Sequence, residues 1–241
     1  MNQIFIPVTL GSQTFVLAHR GASRAERENT VLAFRAAGDM GADGVELDVR
    51  LTADGHLVVH HDPRLEDGRD ICEMQRSELP AHLPTMHEAL DACAGMWVNV
   101  EIKNDEKEPD FDSSDSVAEL VARALVERNE NSRFLISSFR QETINKVHDF
   151  APELRTAWLT TVVAPNDAES IVESLVRGGH SALHPWVGLL TKELIDLCHE
   201  RDIQVNTWTC DDAVRMAELV EWKVDAICTN VPDVALRVLG R

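Results

Sequence analysis

Short apolar, β-branched runs alternate along this chain with segments whose apolar residues recur at helical spacing. The period-2 or continuous apolar runs predict strands at Phe15–Gly21, Gly44–Thr52, Trp97–Lys103, Phe134–Phe139, Arg155–Thr161, Ser181–Trp186, Gln204–Cys210 and Asp225–Asn230. The helical spacing predicts helices at Thr30–Met40, Thr85–Cys93, Ser116–Arg128, Gln141–Phe150, Asp167–Arg177, Thr191–Arg201, Asp212–Trp222 and Pro232–Leu239. Strands alternating with helices argue for βαβ units and a parallel sheet. Eight such units in 241 residues fit an α/β fold with a closed (β/α)8 TIM barrel, read as one domain over residues 1–241. The alternative, an open doubly wound sheet, would place a Gly-rich phosphate loop after its first strand. That position reads His19-Arg20-Gly21-Ala22-Ser23, which is no such loop.

One element interrupts the alternation. After the second strand come Ala53-Asp54-Gly55-His56 and a further β run, Leu57–His61. Asp-Gly between apolar runs signals a hairpin, so a small β-hairpin extension is expected after strand two. With Asp54 and Gly55 as the two central turn residues, Asp48 falls opposite His61, unless a bulge or longer turn shifts the register.

Composition narrows the function. The net charge of −18, from 23 basic and 41 acidic residues, disfavours a nucleic-acid or anionic-membrane binder, which needs a basic stripe. The acidity itself calls for nothing beyond solubility. Five cysteines (Cys72, Cys93, Cys198, Cys210, Cys228) lack CxxC spacing and suit reduced thiols better than disulfides or a structural zinc site. Met1 to Leu10 lacks the basic and apolar regions of a secretory signal, and no apolar run nears the roughly 18 residues of a membrane span. The expectation is a cytoplasmic protein without stable membrane association; its oligomeric state is not readable.

The chemistry concentrates early, in His19-Arg20-Gly21, Glu46-Leu47-Asp48 and His61-Asp62. In a barrel, functional groups sit at the carboxyl ends of strands. Glu46 and Asp48 are two apart and share a side of strand two; Glu101 and Lys103 repeat the spacing on strand three. Glu46, Asp48 and Glu101 therefore converge. Three carboxylates in a partly desolvated pocket raise one another's pKa unless a cation joins them. An all-oxygen set suits one hard divalent ion, Mg²⁺ or Ca²⁺, although each acid could instead pair with Arg or Lys. His19 and His61 would flank the ion as an acid and a base near neutrality, while His56, His60, His82, His87, His148 and His199 call for no more than structural roles. Arg20 and Lys103 offer charge to phosphodiester oxygens. His19 and Arg20, being adjacent, can share a site only if the strand ends or bends there.

Taken together, these motifs resemble the glycerophosphodiester phosphodiesterase family. The resemblance runs through His19-Arg20-Gly21, Glu28-Asn29-Thr30, Glu46-Leu47-Asp48-Val49, His61-Asp62 and Glu101-Ile102-Lys103. It continues in Val205-Asn206-Thr207-Trp208-Thr209 and in Val224-Asp225-Ala226-Ile227 with Thr229-Asn230-Val231-Pro232, covering about residues 15 to 236. It implies a (β/α)8 barrel, His19 and His61 as the acid–base pair, Glu46, Asp48 and Glu101 as metal ligands, and Arg20 and Lys103 as phosphate binders. It also implies Trp208 as an aromatic wall of the substrate pocket; a core tryptophan at a strand end is the alternative. Two positions depart from the family pattern: Arg27 stands where proline is common, and Asn230 where aspartate is frequent. Both are expected to alter loops that select the alcohol. Residues 62–96, where the family carries a variable cap, are expected to give a small lid.

The implied activity is metal-dependent hydrolysis of glycerophosphodiesters, such as glycerophosphocholine or glycerophosphoethanolamine, to sn-glycerol 3-phosphate and an alcohol. That reaction belongs to lipid and glycerol metabolism. Two rivals stand beside it: a phosphodiesterase of the same barrel acting on lysophospholipids or phosphatidylinositol, and a non-catalytic barrel that binds phosphodiesters. The preferred alcohol, the choice of ion and the assignment of base and acid between the histidines do not follow from sequence.

Overall fold

A computed structural model describes residues 13–241, so the reading of Met1–Leu10 lies outside the described residues. Eight parallel strands close into a ring: β1 (Phe15–Ala18), β2 (Gly44–Leu51), β4 (Trp97–Ile102), β5 (Phe134–Ser138), β6 (Arg155–Thr160), β7 (Ala182–Pro185), β8 (Gln204–Thr207) and β9 (Ala226–Thr229). Pairing of β1 with both β9 and β2 closes the barrel. Eight helices follow the ring strands: α1 (Val31–Met40), α2 (Met86–Ala92), α3 (Ser116–Glu127), α4 (Gln141–Phe150), α5 (Ala168–Arg177), α6 (Lys192–His199), α7 (Ala213–Glu221) and α8 (Pro232–Val238). Local chemistry sets several of their starts. Thr30 caps α1 by accepting from the Ala33 amide, Thr85 and Glu88 form a reciprocal capping box on α2, and Pro232 opens α8.

The period of two along each strand separates two environments. On β2, Val45, Leu47 and Val49 join Phe34 and Ala37 of α1 in the apolar layer between sheet and helices. Gly44, Glu46 and Asp48 take the other side, toward the barrel axis, where a smaller cluster includes Leu17, Trp97, Leu135, Ala157 and Ala182. Gly44 makes room for this cluster, since a Cβ built there would lie 2.7 Å from the Trp97 ring.

The short strand β3 (Leu57–Val59) lies outside the ring, antiparallel to β2. Its register differs from the expected one by a single residue. Val49 pairs with Val59 and Leu51 with Leu57, and Thr52 bonds across to His56. The turn thus contains three residues, Ala53, Asp54 and Gly55, because the Thr52 hydroxyl accepts from the His56 amide while donating to Asp54. Asp48 consequently meets His60, whose amide donates to the Asp48 carbonyl at 3.0 Å, rather than His61. His61 reaches the barrel mouth by another route: β3 ends at Val59 and the chain bends. Residues of the 62–96 segment pack Leu65, Ile71, Met74, Leu79 and Leu83 against Val58 as a separate small core.

Arg50 braces this bend. Its side chain is 1% exposed, donates through Nε to the His61 carbonyl at 2.8 Å, and pairs with Glu108 at 3.0 Å and Asp110 at 2.6 Å. One guanidinium therefore ties the end of β2, the His61 backbone and the loop after β4 together.

Two stability predictions follow from this packing. Gly44→Ala should cost about 1–3 kcal/mol in urea denaturation, because the Trp97 ring or the strand must move; an unchanged midpoint would mean the barrel axis has spare room. Arg50→Leu strands two acids beside a buried gap and should cost about 3–5 kcal/mol. Arg27→Leu, which breaks only the exposed Arg27–Glu66 pair, should stay within about 1 kcal/mol. Equal losses for the two arginine variants would remove Arg50 as a brace.

Candidate active site

Strands β2 and β4 deliver the expected acids to one place. Glu46, Asp48 and Glu101 are all buried, and each offers a carboxylate oxygen within 4.8 Å of the others. Parallel pairing sets Asp48 directly beside Glu101. Two cations stand among the three acids. Lys103 Nζ lies 2.9 Å from Asp48 and also donates to Glu101, while Arg20 Nε lies 3.2 Å from Asp48. Arg20 and Lys103 are thus engaged with the acids rather than standing free for an anion, and Arg20 further pairs with Glu28 at 3.0 Å.

The balance still leaves one negative charge in excess. Burial, then the Asp48 and Glu101 carboxylates, push Glu46 well above the usual carboxylate range. Burial also raises Glu101 against the pull of Lys103. Burial works to raise Asp48 too, but Lys103 and Arg20 outweigh it and hold it well below its ordinary value. Glu46 Oε1 is buried and has no hydrogen-bond partner among the described residues. A buried, unpartnered carboxylate oxygen within reach of two other carboxylates is the donor set that a hard divalent cation completes.

The conflict between adjacent His19 and Arg20 is resolved by the backbone. β1 ends at Ala18, and Arg20 and Gly21 both take left-handed conformations, with φ of 56° and 79°. The Arg20 amide donates to Glu46 Oε2 at 3.0 Å, and its carbonyl accepts from the Asn29 amide. Gly21 passes so close to α1 that a Cβ there would lie 2.6 Å from the Ala33 backbone. A strained turn of this kind persists only where its surroundings hold it, and here it lets both side chains reach the cleft.

His19 and His61 line one cleft together with Glu46, Glu101 and Lys103. Each ring is held at Nδ1: His19 by Asn230 Oδ1 at 2.7 Å, His61 by Asp62 Oδ1 at 2.6 Å. Burial, then the Arg20 charge, lowers the His19 pKa. Trp208 also lines the cleft, fixed by an Nε1 bond to the His184 carbonyl and an edge-on contact with Phe139 at 5.4 Å. No residue of the 62–96 segment is among those lining it.

Several site residues escaped the sequence reading. Asn29 holds Asp48 through its amide at 2.7 Å, a role that the Glu28-Asn29-Thr30 motif does not itself disclose. His184 and Asn206 form a buried pair on the far wall, 2.9 Å apart, with burial alone pulling His184 down to about 3 and so keeping it neutral. Nothing in the local sequence marks His184, whose role depends on which strand faces it. Asn230, in the short loop between β9 and α8, contacts His19 directly.

Comparison with known proteins bears on this geometry. Residues 19–234 match the glycerophosphoryl diester phosphodiesterase family. A glycerophosphodiester phosphodiesterase of Caldanaerobacter subterraneus is 30% identical over 95% of this chain and 99% of its own length. One from Bacillus altitudinis is 27% identical over 93% of this chain and 98% of its own. Among solved structures, a glycerophosphodiester phosphodiesterase from Parabacteroides distasonis superimposes with a TM-score of 0.82 at 24% identity, covering 94% of this chain and 97% of that one. An Oleispira antarctica phosphodiesterase, solved in complex with the product sn-glycerol-3-phosphate, gives 0.81 at 23% identity over 94% and 97%. These likenesses in structure establish the shared barrel. With the sequence match running through both histidines, all three acids and the end of β9, the chain belongs to the glycerophosphoryl diester phosphodiesterase family of enzymes.

Proposed function

We propose that this cleft hydrolyses glycerophosphodiesters, such as glycerophosphocholine or glycerophosphoethanolamine, to sn-glycerol 3-phosphate and the free alcohol, with His19 and His61 as the acid–base pair. The observation that carries this reading is the buried Glu46–Asp48–Glu101 cluster with its unpartnered Glu46 oxygen; Glu46 and Glu101 of that cluster line one cleft with two imidazoles. Glu46, Asp48 and Glu101 would hold a divalent ion, Mg²⁺ or Ca²⁺, which would supply Lewis-acid polarisation in the cleft.

One histidine takes the proton of the 2-hydroxyl as its oxygen bonds to phosphorus. The other gives a proton to the departing alkoxide as the phosphorus–alcohol bond breaks. The product of that step is a cyclic phosphate, which water opens with the histidine roles exchanged. Arg20 and Lys103 line the cleft while paired with the acids, so each can still give a hydrogen bond to a phosphate oxygen. Trp208 and Phe139 give the head group an aromatic wall, which accepts a quaternary ammonium as readily as an apolar surface. Asn29 keeps Asp48 oriented through the cycle.

A second reading gains support from the rim. Val162, Trp186 and Leu189, at the carboxyl ends of β6 and β7, are 56%, 42% and 50% exposed, and Val162 and Leu189 share an apolar groove. Such a rim suits an acyl chain, and with it a lysophospholipid substrate. No helix among the described residues is long and apolar enough to cross a membrane.

Purified protein should release glycerol 3-phosphate from glycerophosphocholine, stop in EDTA and recover with Mg²⁺ or Ca²⁺. His19→Ala and His61→Ala should each lose at least about a hundredfold in kcat. Activity untouched by either substitution would sink the assignment. Faster turnover of lysophosphatidylcholine than of glycerophosphocholine would favour the rim reading, and tight binding without turnover would leave only a binding barrel.

A further inference from the structure

The loop after β8 and the end of β9 carry a hydrogen-bond chain that the proposed reaction does not use. It runs from Asp211 through Asn230 to His19. Asp211 Oδ2 accepts from Asn230 Nδ2 at 2.8 Å, and its Oδ1 accepts from the Asn230 amide at 2.8 Å and the Thr229 hydroxyl at 3.0 Å. At the other end of the Asn230 side chain, Oδ1 lies 2.7 Å from His19 Nδ1 and accepts from the Ser23 hydroxyl at 3.0 Å. The His19 backbone is registered to the same strand end, its amide donating to the Thr229 carbonyl at 2.9 Å.

We infer that Asp211 and Asn230 are positioning residues that fix the tautomer of His19, keeping its proton on Nδ1 and its lone pair on Nε2. An ionised carboxylate can only accept hydrogen bonds, so Asp211 selects the NH₂ end of the Asn230 amide. The amide oxygen is thereby committed to the His19 side, and an amide oxygen cannot donate. The hydrogen in the Nδ1–Oδ1 contact must therefore belong to the imidazole. Flipping the amide would set its oxygen against the Asp211 carboxylate, so the arrangement in which its NH₂ donates to His19 Nδ1 and favours the other tautomer is excluded at the Asp211 end. In the neutral ring, Nε2 is left as an acceptor, and it lies 3.9 Å from Glu46 Oε2, beside the acid cluster. Either task proposed for His19 needs this arrangement: a base must present a lone pair to the substrate, and an acid must regain its proton at the same atom. Asn230 thus does for His19 what Asp62 does for His61, through an amide instead of a charge.

The inference rests on the reading of His19 as an acid–base residue, but its first test does not need turnover. Side-chain ¹⁵N spectra of histidine-labelled full-length protein, with His19 assigned by its loss in His19→Gln, should show a protonated Nδ1 and an unprotonated Nε2. An Nε2–H ring in the unaltered protein would overturn the proposal without any variant being needed. Asp211→Leu, which frees the amide to rotate, should mix the two tautomers and lower kcat on glycerophosphocholine by about 10- to 100-fold with KM nearly unchanged. Asp211→Asn has a single acceptor oxygen, which the Asn230 backbone amide and the Thr229 hydroxyl claim. Its NH₂ therefore faces the Asn230 side chain and should flip that amide, shifting the ring toward Nε2–H with a comparable loss of kcat. A pure Nδ1–H ring in Asp211→Leu would also overturn it. Should His19→Ala leave turnover intact, the catalytic reading fails, while the spectra decide the tautomer separately.

Discussion

Three carboxylates buried at one point of a barrel repel each other, and the surrounding structure answers that repulsion. Glu46, Asp48 and Glu101 arrive there because parallel strands in register bring every second residue to the barrel axis. The chain offsets two of the three charges internally, through Lys103 and Arg20, and leaves Glu46 with a bare oxygen. An isolated buried charge of this kind is costly unless it is neutralised by a proton or a cation. A structural site would have closed the deficit with another side chain. Leaving it open makes the cluster suited to binding an ion and, through it, an anionic substrate.

Meeting this constraint shapes the loops. Arg20 can reach Asp48 only because the chain turns left-handed immediately after β1, and that turn is held by Glu46 itself, by Asn29 and by close contact between Gly21 and α1. The acids, the turn and His19 are therefore mutually dependent. On the opposite flank, Arg50 fixes the His61 carbonyl with two further acids from the loop after β4. The two imidazoles are thus held by different parts of the scaffold, one against β9 and one against the outlying hairpin.

Much of this was legible in the sequence, for physical reasons. Eight alternations of period 2 and period 3.6 specify a barrel, and the spacing of Glu46 with Asp48 and of Glu101 with Lys103 places them on the inner side without further information. The hairpin was legible from Asp54-Gly55, but its register was not, because the Thr52 hydroxyl bonds locally and lengthens the turn by one residue. Contacts between distant strands were the least visible. Asn230 reaches His19 across 211 positions, and His184 meets Asn206 from the neighbouring strand. Pairing of Arg20 and Lys103 with the acids was equally hidden, since sequence reveals a cation but not which anion it has already found.

The central claim is that the excess negative charge at Glu46, Asp48 and Glu101 creates one divalent-cation site. Calorimetric titration of the metal-free protein with Mg²⁺ and with Ca²⁺ tests it most directly. One ion should bind per chain, with affinity reduced at least about tenfold in Glu46→Gln and in Glu101→Gln. Absence of binding, or binding that survives both substitutions unchanged, would contradict the account.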